Sequence, residues 1–175
     1  MINTWKTKQD LELDPNLEYW LFSVKRLGST LAHYAPFLEL SCINEYDGKI
    51  DDDELLLLNQ HDKNCRIRLI KHHRNNEVLV FGRTVIPKET YLSYQNLFDT
   101  LGNNSIGEHF LFRESNIKRS DFYAWYCPAD IVKHKLQLPT NTIDTPLWVR
   151  ASIFELPNKQ KLLIEEFFIE LFKLN

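Results

Sequence analysis

The sequence predicts an α+β fold in which helices pack on an antiparallel sheet. Two apolar runs, CRIRLIKH and EVLVFGRTVIP, flank the polar letters RNN between Cys65 and Pro87, a pattern typical of a β-hairpin. Three later segments, FYAWY, IVKHKLQL and LWVRASIFEL, are short, rich in aromatic or β-branched residues and separated by prolines, which predicts further strands. Strands and helices do not alternate regularly, so a doubly wound parallel sheet is not expected.

Length and composition predict a single domain over residues 1–175. A chain of 175 residues buries one sizeable core and is short for two ordinary domains. Hydrophobic residues make up 43% of the chain and aromatic residues 13%, with only 5 glycines, which favours a packed globule over a disordered polymer.

Charge, cysteine content and hydropathy narrow the classes of partner. A net charge of -3 provides no basic surface for a phosphate backbone, so nucleic acid is not an expected partner. Cys42, Cys65 and Cys127 form an odd set without CxxC spacing, which predicts reduced thiols in the cytoplasm. No run approaches the ~20 apolar residues that cross a bilayer, so stable membrane insertion is not expected. We expect a monomer by default.

The first helices are predicted from capping residues. Asp14 stands before a proline and an apolar periodic run, which predicts a helix with Asp14 as its N-cap. Gly28 is predicted to break this helix, and Ser29 to cap a second one that ends before Pro36. The result is a predicted helix-turn-helix over residues 14–35.

A further helix is predicted over YLSYQNLFDTL. Thr90 is the expected N-cap, and Gly102 occupies the position where a left-handed residue commonly ends a helix.

The last segment, KQKLLIEEFFIELFKLN, fits two structures. Its apolar residues recur at helical spacing, which the pattern slightly favours, yet every second residue from Leu162 to Phe168 also shares one face of a strand. In a helix, Glu166 would lie on the solvent face. In a strand, Glu166 would point inward, where burial would raise the pKa of its carboxyl group and suit it to proton transfer.

Three arginines are candidate anion-binding residues. Arg66 and Arg68 share one face of the first hairpin strand, and Arg83 lies on its partner strand. The guanidinium fork donates two parallel hydrogen bonds to a carboxylate and stays charged when partly buried. The alternative is that all three are solvated side chains on an exposed sheet face.

Metal binding is not predicted. His72 and His73 are adjacent and cannot both face one metal from a strand, and the acidic run from Asp51 to Glu54 is interpreted as a helix start, with a weak magnesium site as the alternative. The sequence contains no G-x-S-x-G, P-loop or G-x-G-x-x-G motif, which disfavours the common hydrolase, NTPase and dinucleotide-binding classes.

Several segments, in order, resemble the chorismate pyruvate-lyase family. FGRTVIP at 81–87 is similar to the family's G/A-R-T/S-V-V/I-P, and LGNNSIGEHFLF at 101–112 to its L-G-x-x-P-L-G-x-x-L-F. LWVRAS at 147–152 resembles L-W-x-R-R-S, and KLLIEEFF at 161–168 resembles K-P-L-L-L-T-E-x-F-L. Trp5, DPNLEYWL and the GSTL letters from Gly28 add weaker matches near the start.

The resemblance implies specific site residues. The family's carboxylate-binding arginine, fourteen positions before the glycine of G-R-T, falls on Arg68, and its essential glutamate falls on Glu166, which implies that the last segment is a strand. The backbone position that touches the ligand falls on Ile106, and the flap position, often Met or Leu in the family, falls on Thr30. Arg83 is expected to support the charge balance.

The same resemblance implies the fold and the reaction. We expect a six-stranded antiparallel sheet whose ligand cavity is closed by helical flaps. The implied activity is the elimination of pyruvate from chorismate to give 4-hydroxybenzoate for ubiquinone synthesis, without a metal or organic cofactor. The alternative is a module of the same fold that binds a small aromatic acid without converting it, as effector domains of some transcriptional regulators do.

Overall fold

The computed structural model describes residues 4–169, which form one antiparallel sheet with helices on both faces. The strands are β1 (Glu39–Lys49), β2 (Asn64–Arg74), β3 (Glu77–Pro87), β4 (Lys118–Arg119), β5 (Tyr123–Cys127), β6 (Leu147–Glu155) and β7 (Lys161–Phe168). Their order is β1-β2-β3-β7-β6-β4, and β5 also pairs with β6. The predicted α+β class and antiparallel sheet are confirmed, with seven strands in place of the expected six.

The helices precede β1 or lie in the connections between strands. They are α1 (Pro15–Glu18), α2 (Leu27–Tyr34), α3 (Asp52–Leu58), α4 (Lys88–Ser93), α5 (Gln95–Asp99) and α6 (Ala129–Leu136), with π-helical turns at Tyr19–Ser23 and Gly107–Leu111 and a 3-10 turn at Lys8–Asp10. No helix among residues 4–169 combines the length and the apolar character that a bilayer crossing needs.

The segment IVKHKLQL is helical, so the strand predicted there is wrong. It belongs to α6, where Val132 and Leu136 are buried one turn apart and Gln137 ends the helix in the left-handed conformation (φ 53°). The i, i+4 spacing of the two buried residues outweighed the β-branched letters. No strand was predicted at β1, whose residues are exposed or only partly buried and therefore give a weak alternation signal.

The hairpin forms as its apolar pattern predicted, and the last segment is a strand, as the resemblance implied. Strand β7 pairs with β3 on one side and β6 on the other, so the helical interpretation of its first residues is wrong and Glu166 lies in a central strand. The terminal letters IELFKLN extend beyond the described residues.

Two helical flaps cover one face of the sheet. The first flap (residues 15–34) begins where Asp14 accepts hydrogen bonds from the backbone nitrogens of Asn16 and Leu17, which confirms the predicted N-cap. The helical path breaks at residues 24–26, not at Gly28, and Ser29 is inside α2, where its hydroxyl donates to the carbonyl oxygen of Arg26. A glycine early in a helix costs little when residues around it pack well.

The second flap (residues 88–111) also starts earlier than predicted. Pro87 precedes α4, so Thr90 lies within the helix, and its buried hydroxyl donates to the carbonyl oxygen of Lys161 over 2.9 Å. This hydrogen bond ties the flap to β7. The helix breaks at Tyr94 before α5, while Gly102 has the expected positive φ of 55°.

Candidate active site

A partly enclosed cavity lies between the sheet and the two flaps. The volume open to the centres of water molecules is about 60 Å³. Its walls come from β2, β3, β6, β7, both flaps and the segment around β4. The lining residues are Lys25, Leu27, Gly28, Arg68, Ile70, His72, Gly82, Thr84, Ser105, Ile106, Gly107, Glu108, Phe112, Arg119, Phe154, Ile164 and Glu166. The sheet face that carries Arg68 and Glu166 is called the cavity face below.

Glu166 lies in the middle of the cavity face, directly opposite Arg150 in the register of β6 and β7. The guanidinium Nε of Arg150 donates to Oε2 of Glu166. Although burial raises the pKa of Glu166, the attraction and hydrogen bond of Arg150 outweigh it, and Arg119 and His72 add to the lowering. The sequence-based expectation of a raised pKa is therefore wrong, because the interior carboxylate has a cationic partner.

Arg150 also holds the first flap. Its Nη1 donates to the carbonyl oxygens of Trp20 (2.9 Å) and Val24 (2.7 Å), and its guanidinium lies 4.2 Å from the ring centroid of Phe122. The side chain is fully buried. Sequence reasoning missed this residue, although the matched letters LWVRAS contain it.

Arg119 is a second arginine that sequence reasoning missed. Its Nε donates to Ser152 over 3.0 Å, its Nη1 donates to the carbonyl oxygen of Lys25, and the guanidinium lies 4.3 Å from the ring centroid of Phe122. Burial lowers its pKa to about 10, only partly opposed by Glu166. Its Nη2 makes no hydrogen bond with residues 4–169. A desolvated cation with a spare donor at a cavity wall suits an anionic ligand.

Arg68 lines the other end of the cavity and is almost fully buried. Its Nη1 donates to Glu45 over 2.8 Å, and its Nη2 donates to the carbonyl oxygens of Gly102 and Asn104, each over 2.9 Å. Two donors thus hold the loop that leads to Ile106 and a third holds Glu45, while the Nε–H and one Nη1–H remain. Arg68 therefore both shapes the cavity wall and keeps donors for a ligand.

The other predicted site residues separate into two groups. Ile106 is buried and lines the cavity at the start of the π-helical turn, with Ser105 beside it. Thr30 is half-buried on α2 and is not among the lining residues. Arg83 lies on the opposite face of the sheet, because it pairs with Leu69 and not with Arg68. The structure therefore does not bring Arg83 to the cavity.

Arg83 belongs to a buried ion cluster beneath α3 and α6. Its Nε lies 2.7 Å from Oε1 of Glu54, and Nζ of Lys135 lies 2.9 Å from carboxylate oxygens of both Asp53 and Glu165. The acidic run is thus a helix start, as predicted: Asp51 and Glu54 form a capping box, and Glu54 also binds Arg83.

Among residues 4–169, no group of three or more His, Cys, Asp or Glu side chains is arranged to hold a metal ion. His72 lies on the cavity face, whereas the neighbouring His73 faces the other way and bonds to Ser41.

Comparison with curated proteins places the sequence beside two bacterial proteins, each named "Probable chorismate pyruvate-lyase". The chain is 33% identical to the Psychromonas ingrahamii protein over 94 residues, which are 53% of this chain and 50% of that protein. It is 25% identical to the Pseudoalteromonas atlantica protein over 158 residues, which are 86% of this chain and 79% of that protein. The match thus spans about half the length of the first relative.

Several solved structures have a similar fold. The C-terminal domain of PhnF matches 76% of this chain and 82% of its own, with a TM-score of 0.54 and 11% identity. The effector-binding domain of the Bacillus subtilis trehalose repressor matches 74% of this chain and 89% of its own, with a TM-score of 0.50 and 12% identity. At these identities the likeness concerns the fold alone.

The model of one protein family covers nearly all of the sequence. It is described as chorismate lyase and matches residues 2–174. This match includes both flaps, all seven strands and every cavity-lining residue described above. The chain belongs to the chorismate lyase family.

Proposed function

We propose that this chain is a chorismate pyruvate-lyase, which eliminates pyruvate from chorismate to give 4-hydroxybenzoate for ubiquinone synthesis. One observation carries the proposal: an ionised acid, Glu166, whose side chain is 14% exposed, shares a cavity with the buried Arg68 and the partly buried Arg119. Membership of the chorismate lyase family supports it. The arrangement suits a small cyclic molecule that carries two carboxylates and a hydroxyl group.

The substrate's charged groups fit the cavity's donors. Arg68 binds the ring carboxylate through its remaining donors, and the backbone at Ile106 contacts the ring. Arg119 binds the carboxylate of the enolpyruvyl group, since its Nη2 is free of hydrogen bonds to residues 4–169. Glu166 accepts a hydrogen bond from the ring hydroxyl, because its lowered pKa keeps it ionised at neutral pH.

The chemistry needs positioning more than covalent help. The C–H bond breaks at the ring carbon that bears the hydroxyl, and its electron pair completes the aromatic ring. The C–O bond at the adjacent ring carbon breaks at the same time, and the oxygen keeps that electron pair as enolpyruvate departs. One proton is released from the ring, and one proton is taken up by the enolpyruvate anion as it becomes pyruvate, so the reaction needs no net proton. The cavity fixes the reactive conformer, and Arg119 stabilises the negative charge that grows on the departing oxygen.

The proposal includes no cofactor. Elimination exchanges no electrons with an external acceptor, and aromatisation supplies the driving force. The cations that stabilise the leaving group are therefore the chain's own arginines.

The test is direct product analysis. The purified protein is incubated with chorismate in the presence of a chelator, and 4-hydroxybenzoate, 3-hydroxybenzoate and pyruvate are separated by chromatography. We expect 4-hydroxybenzoate and pyruvate in equal amounts. Release of 3-hydroxybenzoate would instead identify a different elimination, and tight binding of 4-hydroxybenzoate without turnover would favour a binding module.

Glu166→Gln tests the acid within the same assay, because it preserves size and removes the charge. We expect a lower turnover rate at all pH values from 6 to 8. An unchanged rate would mean that Glu166 does not act on the substrate.

A further inference from the structure

His72 is a cavity residue to which the proposed mechanism assigns no part. It lies on β2 and is 8% exposed, and its side chain lines the cavity with Arg68 and Glu166. In the register of the sheet, His72 pairs with Val80, two residue pairs along from the row that joins Ile70, Gly82 and Glu166 and therefore on the same face. The imidazole therefore lies at the Glu166 end of the cavity, four residues along β2 from Arg68.

The imidazole of His72 makes no hydrogen bond with any residue from 4 to 169. Its neighbour His73 provides the contrast, because the ring nitrogens of His73 lie 2.8 Å from the Ser41 hydroxyl and 3.0 Å from the carbonyl oxygen of Asn75. Most polar groups in protein interiors are hydrogen-bonded. The unused donor and acceptor of His72 face the space that a ligand would occupy.

The first flap closes directly over this ring. A Cβ atom at Gly28 would lie 3.5 Å from Cε1 of His72, so α2 approaches the imidazole at ordinary contact distance. Burial lowers the pKa of His72, although Glu166 opposes this effect. The ring is therefore neutral at pH 7 and presents one N–H donor and one bare nitrogen.

We propose that His72 is a ligand-binding residue that selects, together with Glu166, for a hydroxyl group at this end of the ligand. The hydroxyl donates a hydrogen bond to the Glu166 carboxylate and accepts one from the His72 ring N–H. A hydroxyl group can fill both roles at once, whereas hydrogen can fill neither and a methoxy group can only accept. This assignment rests on the proposed function, because the ring hydroxyl is the group that Glu166 is proposed to hold.

The test compares two ligands across four proteins. Dissociation constants for 4-hydroxybenzoate and benzoate are measured by calorimetry with the wild type, His72→Leu, His72→Gln and the control His73→Leu. We expect His72→Leu to raise the dissociation constant of 4-hydroxybenzoate roughly tenfold, which corresponds to the loss of one net hydrogen bond. The dissociation constant of benzoate should change by less than about twofold. His72→Gln keeps an amide donor and should recover part of the difference, and His73→Leu should preserve the wild-type ratio.

A second measurement avoids substitution altogether. With ¹³C-labelled histidine, the Cε1 resonance of His72 in the wild type should shift on saturation with 4-hydroxybenzoate, while that of His73 stays in place. An unmoved His72 resonance would overturn the assignment even where the variants fail to fold. If His72→Leu weakened the binding of 4-hydroxybenzoate and of benzoate equally, His72 would only support the cavity wall.

Chorismate turnover by the wild type, measured alongside, separates the two proposals. If the wild type converts chorismate but His72→Leu keeps the wild-type preference for 4-hydroxybenzoate over benzoate, only the role of His72 is refuted. If His72→Leu loses this preference but the wild type does not convert chorismate, the lyase activity is refuted and the binding role of His72 stands. A wild type that binds neither acid and converts no chorismate overturns both.

Discussion

Arg150 and Glu166 are direct partners across β6 and β7, and the same guanidinium that binds the Glu166 carboxylate also donates to the backbone of the first flap at Trp20 and Val24. Arg150 is fully buried. One side chain therefore fixes both the acid in the cavity and the flap that covers it. Its loss should affect stability and ligand release together.

We expect Arg150→Leu to lower the free energy of unfolding by about 3–5 kcal/mol, because it leaves a buried carboxylate without its cation. Urea unfolding at pH 7 measures this loss. Adding Glu166→Gln to the variant should restore part of it, since the unpaired charge disappears. The exposed Arg113→Leu serves as the control and should change stability by less than about 0.5 kcal/mol. A similar small change in Arg150→Leu would contradict the role given to this pair.

Arg68→Ala should lower kcat/KM by at least ~10²-fold, because it removes a charge-assisted ligand contact and releases the carbonyl oxygens of Gly102 and Asn104. Arg66→Ala is the matched control. Arg66 lies two residues away on the same strand face but forms a solvent-accessible pair with Asp47, so its loss should change kcat/KM by less than about threefold. Equal losses in the two variants would mean that the effect is general to the strand.

The buried ion cluster on the opposite face predicts a pH dependence of stability. It contains two cations, Arg83 and Lys135, and three carboxylates, Asp53, Glu54 and Glu165. Full ionisation would leave an excess negative charge, and burial raises the pKa of Glu165 to about 8. The folded state therefore holds a proton that the unfolded chain has already released above the ordinary carboxyl pKa.

Stability should accordingly fall as pH rises from about 5 through 8, because the folded state binds more protons than the unfolded state in this interval. Urea unfolding at pH 6 and pH 9 measures the effect. Glu165→Gln mimics the protonated side chain and should flatten this dependence. A wild type whose free energy of unfolding stays constant or increases over the interval would argue against a protonated Glu165.

Asp14→Ala should loosen the first flap without touching the cavity, because Asp14 caps α1 through the backbone nitrogens of Asn16 and Leu17. We expect a loss of about 1 kcal/mol in unfolding free energy and faster release of 4-hydroxybenzoate in stopped-flow displacement. Asp14→Asn keeps the capping oxygen and should release product at the wild-type rate. Unchanged release from Asp14→Ala would mean that opening of this flap does not limit product exit.

Much of the site was predictable from sequence, and the exceptions have physical causes. Arg68, Ile106 and Glu166 were assigned through the resemblance to the chorismate pyruvate-lyase family, and all three line the cavity. Arg150 and Arg119 were missed because isolated arginines in strand segments give no local sign of burial. Their partners, such as Glu166 and the carbonyl oxygen of Lys25, come from distant parts of the chain.

The position of Arg83 shows the same limit within one hairpin. Arg74 pairs with Glu77 at the turn, and this register, continued without interruption, would set Arg83 directly opposite Arg68 on the cavity face. Leu79 interrupts it, because His73 pairs with Val78 and His72 with Val80. This single extra residue moves Arg83 to the other face, where it joins Glu54.

The sequence by itself determined the hairpin, the capping of the first flap by Asp14 and the left-handed turn at Gly102, since each depends on residues only a few positions apart. Tertiary structure alone decided which cation meets Glu166 and which face Arg83 occupies. Those outcomes depend on strand register and on burial against distant segments. A one-residue shift in register exchanges the two faces of a strand, so no local pattern can fix them.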